Sequence, residues 1–161
     1  MFFEDKLREK LEMCFDIQNN YVIDNYKFDF IATFNQKSSK YVLLKKNEIY
    51  AFEINQYIVY KKVDKIDTPL LILLKDILKK NYSTIVELNN DHMSSEIIYI
   101  IESELPVDKN ILKAITKFKF YKSIKMGLEG WINGGIVVIN PQFSEGVSNK
   151  VAKKLQKSFL T

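Results

Sequence analysis

Five bulky apolar residues in succession, Ile97-Ile98-Tyr99-Ile100-Ile101, constrain this chain more than any other feature of it. Successive side chains of a strand point to opposite faces, so a strand wetted on one face alternates apolar with polar residues. This run does not alternate, and it predicts a central strand over 96–102 that is covered on both faces. A sheet with such a centre needs helices packed on it.

The chain supplies four helical patterns. Phe3, Leu7, Leu11 and Phe15 recur at helical spacing with Cys14 on the same stripe, which predicts an amphipathic helix over 3–18 that Asn19-Asn20 ends. Asp67-Thr68-Pro69 opens a second helix that continues to Lys80 and stops at Asn81, with proline where no amide hydrogen is needed. Pro106 and Asp108 open a third through Ile111, Leu112, Ile115 and Phe118. Ser148 is expected to cap the last, with Val151, Leu155 and Phe159 inward and Lys150, Lys153, Lys154 and Lys157 on its solvated side.

Between them the period changes to two. Tyr26, Phe28, Phe30 and Phe34 alternate with Lys27, Asp29 and Thr33, and strand-like runs follow at 41–45, 49–54 and 57–62 with Asn55-Gln56 as a turn. This is a β-meander over 21–63. Further strands are expected at 85–88, 118–126 and 136–139, the last stopped by Pro141. At 161 residues, with neither a linker nor a repeat, the expectation is one α+β domain over 1–161. Its sheet is single, mixed or mainly antiparallel, and begins with the meander. The 47% apolar and 13% aromatic residues exclude intrinsic disorder.

Charge is uneven. Residues 117–161 hold eight lysines against two acids, whereas the first 116 residues are slightly acidic. Arg8 is the sole arginine, and a reader of phosphates and guanine edges would use several, so nucleic acid is disfavoured as a partner. Cys14 is the sole cysteine, which excludes an intrachain disulfide and fits a reducing compartment. The start Met-Phe-Phe-Glu-Asp-Lys has no secretory pattern, and no apolar run approaches the roughly 20 residues of a spanning helix. A cytoplasmic protein without a membrane span is expected.

His92, in Asp91-His92-Met93-Ser94-Ser95, is the only histidine. One imidazole and one thiolate fall short of a zinc ligand set, and no Gly-x-Ser-x-Gly elbow accompanies them, so no cofactor and no catalytic residue is expected. Asp29 and Glu53 are the acids best placed for magnesium, on neighbouring strands of the meander. Glu53-Ile54-Asn55 lacks the lysine of a nuclease-type Glu-x-Lys, and a metal site is not favoured. All five glycines lie between 127 and 146, four of them in Gly127-Leu128-Glu129-Gly130-Trp131-Ile132-Asn133-Gly134-Gly135 beside the only tryptophan. That segment predicts a glycine-rich hairpin for which Trp131 is a core anchor.

Asp91-His92-Met93-Ser94-Ser95, Lys117-Phe118-Lys119-Phe120-Tyr121-Lys122-Ser123, Gly127-Leu128-Glu129-Gly130-Trp131, Asn149-Lys150 and Tyr50-Ala51-Phe52-Glu53 resemble a family of short uncharacterised proteins from clostridia and related bacteria. The likeness takes in nearly the whole chain. It implies an α+β domain of unknown function and brings no activity or catalytic residue with it.

The reading that results is a non-enzymatic binding or interaction module, compatible with a homo-oligomer. Its candidate binding residues are His92, Ser94, Ser95, Lys122, Gly127, Gly130 and Trp131. The alternative is a metal-dependent enzyme on phosphate-bearing or nucleic-acid substrates that uses Asp29 and Glu53. Whether His92 and the carboxylates converge in one pocket separates the two.

Overall fold

A computed structural model describes residues 2–35, 55–88 and 94–159. The central strand is where the apolar run predicts it. β4 (Ser94–Ser103) lies parallel to β3 (Asn55–Val63) on one side and to β6 (Trp131–Asn140) on the other. β1 (Asp16–Ile23) and β2 (Tyr26–Phe34) extend the sheet antiparallel from β3. The far side of β6 is shared: β5 (Phe120–Ser123) pairs with its first half and β7 (Glu145–Ser148) with its second, both antiparallel. The result is one mixed sheet in the order β1-β2-β3-β4-β6-β5, with β7 also on β6, within an α+β fold.

Helices cover both faces. α2 (Thr68–Ile85) and α3 (Lys109–Thr116) bury Leu71, Leu74, Ile77, Ile111 and Ile115 against Tyr57, Val59, Ile97, Tyr99 and Ile101. α1 (Phe3–Glu12) and α4 (Lys153–Phe159) lie on the other face, where Leu7, Leu11, Ala152 and Leu155 meet Ile58, Tyr60, Ile98, Ile100 and Val137. Aromatic pairs mark each side: Phe28 stacks on Tyr99 at 5.9 Å and Phe30 on Tyr60 at 4.9 Å. Phe28 and Phe30 were expected on one face by their spacing. The β2–β3 ladder stops at Phe30↔Tyr60, and just beyond it the Asp29 carboxylate accepts the Lys62 N–H at 2.8 Å.

Several boundaries differ from expectation for physical reasons. α1 stops at Glu12, not at 18, because residues 16–23 pair with β2 through a two-residue hairpin at Asp24 and Asn25, both left-handed at φ 54° and 63°. Cys14 and Phe15 keep the burial that the stripe predicts without being helical. α2 runs past Asn81, whose amide donates to the Ile77 carbonyl, and Ile85 is its last residue, so no strand forms over 85–88. Asn55-Gln56 is the start of β3 rather than a turn, while the runs at 41–45 and 49–54 lie outside the described residues. Gly134 and Gly135 belong to β6, not to a hairpin turn. A Cβ on Gly134 would lie 2.7 Å from Phe120 Cβ and 2.8 Å from Leu78 Cδ1, so glycine is what lets β5 and α2 close over the strand.

Ser148 does not cap α4. It ends β7 and donates to Gln156 Oε1, and the next residue does the capping. Between β5 and β7 the edge of β6 is bare at Gly135 and Ile136, and the buried amide of Asn149 fills the gap. Its Oδ1 accepts from Ile136 N at 3.1 Å and Ala152 N at 3.2 Å, its Nδ2 donates to Phe118 O at 3.0 Å and Gly134 O at 3.2 Å, and its own N–H donates to Ile136 O. One side chain therefore satisfies two donors and two acceptors that burial would otherwise orphan, at about 1–3 kcal/mol for each group left unpaired. Asn149→Ala is expected to lower stability by about 3–4 kcal/mol, seen as a lower urea midpoint at unchanged m-value. A loss below about 1 kcal/mol would show that water replaces the amide there.

Candidate binding site at the amino-terminal end of the parallel strands

Ligands of open sheets with parallel strands usually sit beyond the carboxyl ends of those strands. Here that end is closed by its own polar groups. The buried Tyr60 hydroxyl donates to Glu102, and burial, reinforced by that carboxylate, holds the phenol well above its ordinary range. Lys62 Nζ lies 3.9 Å from Glu102 and 3.4 Å from Glu104, and Ser103 donates to the Leu105 carbonyl. Asn140 donates to the Glu104 carbonyl and accepts from Phe143 N. Two clefts of about 470 and 440 Å³ flank the end of β6, with Asn140, Ser144, Glu145 and Gly146 in both walls. Among the described residues no group of three or more His, Cys, Asp or Glu is placed to hold a metal ion. Asp29 is occupied by the Lys62 backbone, and Glu53 lies outside the described residues.

The opposite end gathers most of the residues singled out in the sequence. Ser94 of β4 stands in register with Trp131 of β6, and Trp131 with Ser123 of β5; the next row holds Ser95, Ile132 and Lys122. Pleating divides these rows. Ser94 and Trp131 share the face of α1 and α4, whereas buried Ser95 and Lys122 share the face of α2, where Lys122 Nζ sits 5.7 Å from the Tyr82 ring centre. His92 lies outside the described residues, so its convergence with the carboxylates is not part of this geometry. Trp131 is 42% exposed and is not the core anchor that its company of glycines predicts. As first residue of β6 it lies on the face of α1 and α4, and its indole reaches the surface.

The connection from β5 to β6 is closed on itself. Ile124 N–H donates to Gly130 O at 2.9 Å, Gly127 N–H and Glu129 N–H both donate to Ile124 O, and Lys125 Nζ pairs with Glu129 Oε1 at 2.6 Å. Gly127 and Gly130 take φ of 90° and 83°, which glycine adopts without cost, but Lys125 and Met126 are also left-handed at 46° and 57°. For such residues that conformation costs about 1–2 kcal/mol. Its product is a tip on which Met126 is 97% and Leu128 87% exposed.

One row inward on the face of α4, Gln56, Glu96 and Asn133 stand side by side across three strands, followed by Tyr121 of β5. Gln56 Nε2 reaches Glu96 Oε1 at 3.5 Å, and its buried Oε1 has no partner among the described residues. Partial burial pushes the Glu96 carboxyl above its ordinary value, against the opposing pull of the Gln56 hydrogen bond and the Lys154 charge. Asn133 also opens into a cleft of about 480 Å³ beside β5 and the start of α4, where Lys117, Lys119 and Lys150 line the wall.

Most of the candidate residues named from the sequence fall at this end of the sheet, and Met126, Leu128, Gln56 and Asn133 were not among them. Met126 had been assigned to a strand by its apolar neighbours. The available signal was that Gly127 separates Met126 from Leu128 and Gly130 follows closely, since a turn cannot bury its own tip. Gln56 and Asn133 acquire their meaning only from strand register.

Fold and candidate site together define a mixed-sheet α+β fold with exposed apolar and polar side chains gathered at the amino-terminal end of its parallel strands. The chain belongs to the family described as domain of unknown function DUF8052, whose model matches residues 2–161. That description assigns no activity. No curated protein and no solved structure matches the chain.

Two outcomes are expected from this geometry. A carboxyl whose folded-state pKa is raised binds protons more tightly in the native state, so its cost to stability is absent below the ordinary value of 4.5 and grows as pH rises through the folded value. Glu96→Gln should therefore unfold at a higher temperature than wild type at pH 7 and at the same temperature near pH 4. The reverse order at pH 7 would assign Glu96 a net stabilising pairing. Trp131→Ala, in turn, should cost under about 1 kcal/mol in denaturant, where a core tryptophan would cost about 3–5.

Proposed function

We propose that the chain is a non-enzymatic cytoplasmic binding module that attaches reversibly to an anionic phospholipid surface through the β5–β6 hairpin. One observation carries the reading: Met126 and Leu128 are held outward, almost fully exposed, by a loop that accepts left-handed strain at two non-glycine residues to hold them there. Strain that the surrounding hydrogen bonds enforce is characteristic of sites selected for something other than stability. Burying the two side chains in acyl chains is worth about 1.5–3 kcal/mol each. That is too little for a permanent anchor and suits reversible docking. Lys122 is exposed on the same hairpin and Lys119 just before it, while Lys125 is paired with Glu129, and a lysine near an anionic leaflet adds about 1 kcal/mol. Apolar insertion and basic attraction thus act in the same place, as they do in interfacial membrane binding generally.

Trp131 makes the test direct, because the only indole stands at the base of the tip. Its emission should shift to the blue when phosphatidylserine-containing vesicles are added, should not shift with phosphatidylcholine alone, and should revert as salt is raised. Met126→Ser with Leu128→Ser should weaken vesicle partition roughly a hundredfold, the equivalent of about 3 kcal/mol, while leaving the circular dichroism and unfolding midpoint unchanged. Absence of the shift with anionic vesicles, or equal binding by the double variant, would refute the reading.

A further inference from the structure

Lys117, Lys119 and Lys150 converge on the cleft of about 480 Å³ whose wall also holds Thr116, Tyr121 and Asn133. No acid lines it. All three lysines are exposed, and among the described residues none forms an ion pair, whereas Lys62, Lys65 and Lys125 each face a carboxylate. The convergence is built into the backbone. The Asn149 amide donates to the carbonyl of Phe118, the residue between Lys117 and Lys119, and Asn149 is itself joined to Lys150. The three lysine backbones therefore cannot separate without breaking buried hydrogen bonds. Like charges fixed around a concavity repel one another until an anion occupies it, and they raise the local concentration of anions. Exposed Tyr121 and the half-buried Asn133 amide offer an aromatic wall and a hydrogen-bonding group for whatever carries the charge. The volume falls within the range of small-molecule sites.

We infer that this cleft binds a phosphate monoester, its charge held by Lys117, Lys119 and Lys150 and its organic part lying against Tyr121 and Asn133. Lysines suit this ligand, since each is a compact ammonium that meets a dianion as a point charge. The inference is separable from lipid attachment, because Met126 and Leu128 lie outside the cleft and Lys119 is the one residue that both readings use. The phosphate has two conceivable sources, a soluble ester or a lipid headgroup, and the chemistry recognised is the same.

Calorimetric titration of the full chain with glycerol phosphate, with glycerol as the uncharged control, is the test. Saturable binding should appear for the phosphate alone. It should weaken at least about tenfold in Lys117→Ala/Lys119→Ala/Lys150→Ala, while Lys79→Ala/Lys80→Ala/Lys109→Ala, an equal loss of exposed charge elsewhere, should bind as wild type does. Circular dichroism of both variants confirms that they are folded. Saturation with glycerol phosphate assigns a soluble ester; a preference for phosphatidic acid over phosphatidylserine vesicles that the cleft variant loses assigns the headgroup. The inference is overturned by no saturation at about 10 mM together with no such preference, and by equal weakening in both variants. Retention of a single-stranded oligonucleotide without any response to glycerol phosphate overturns it in favour of a polynucleotide site. Met126→Ser/Leu128→Ser should retain full glycerol phosphate binding, so failure of vesicle attachment and failure of this site are read separately.

Discussion

The bare stretch of β6 at Gly135 and Ile136 is the constraint on which this corner of the molecule depends. A strand with helices on both faces has no water for its edge, so every peptide group there needs a protein partner. The chain provides two short strands and a single side chain. By bonding Ile136 on one side and Phe118, Gly134 and Ala152 on the others, Asn149 fixes where β5 begins, where β7 ends and where α4 starts. Hydrophobic packing sets which faces meet, but it is non-directional and does not determine register. The amide does.

The two ends of the parallel strands have been treated differently. At the carboxyl end each strong polar group has found another: Tyr60 with Glu102, Glu102 and Glu104 with Lys62, Asp29 with a backbone amide, Asn140 with the turn that follows it. These pairings make a lid from the protein's own charges. At the amino end the groups do not cancel. Among the described residues Gln56 Oε1 has no partner, burial pushes the Glu96 carboxyl above its ordinary value, three lysines line one cleft, and two apolar side chains stand in water. Each costs folding free energy, and their concentration at one end is the reason to place function there.

The sheet's centre was legible because a non-alternating apolar run has few structural solutions, and α2 and α3 were legible because their caps and stripes agree. The boundaries that moved did so where pairing overrode local signals. Residues 16–20 are mostly polar and continue directly from a helical stripe, and their ladder with β2 makes them a strand. Ser148 looks like a cap by residue type, yet the geometry of the β6 edge gives that task to Asn149. For the site, strand register brings Ser94, Trp131 and Lys122 to one end and pleating sends Ser95 and Lys122 to the far face, neither of which spacing along the chain reveals. Trp131 was misread for a related reason. Tryptophan is usually buried, but a strand's first residue is only as buried as the helix laid over it.

The shared edge of β6 also bears on how this protein behaves in a crowded solution. A sheet grows by adding strands to long, straight, unpaired edges, and that growth is how folded β-proteins come to aggregate. Neither border here is such a template. Among the described residues one is β1, polar at four of its eight positions and interrupted by a left-handed Asn20. The other is divided between two four-residue strands with an asparagine side chain at the seam, so an incoming strand would meet a broken line of donors and acceptors. The arrangement that completes the core therefore also keeps one molecule's sheet from continuing into the next.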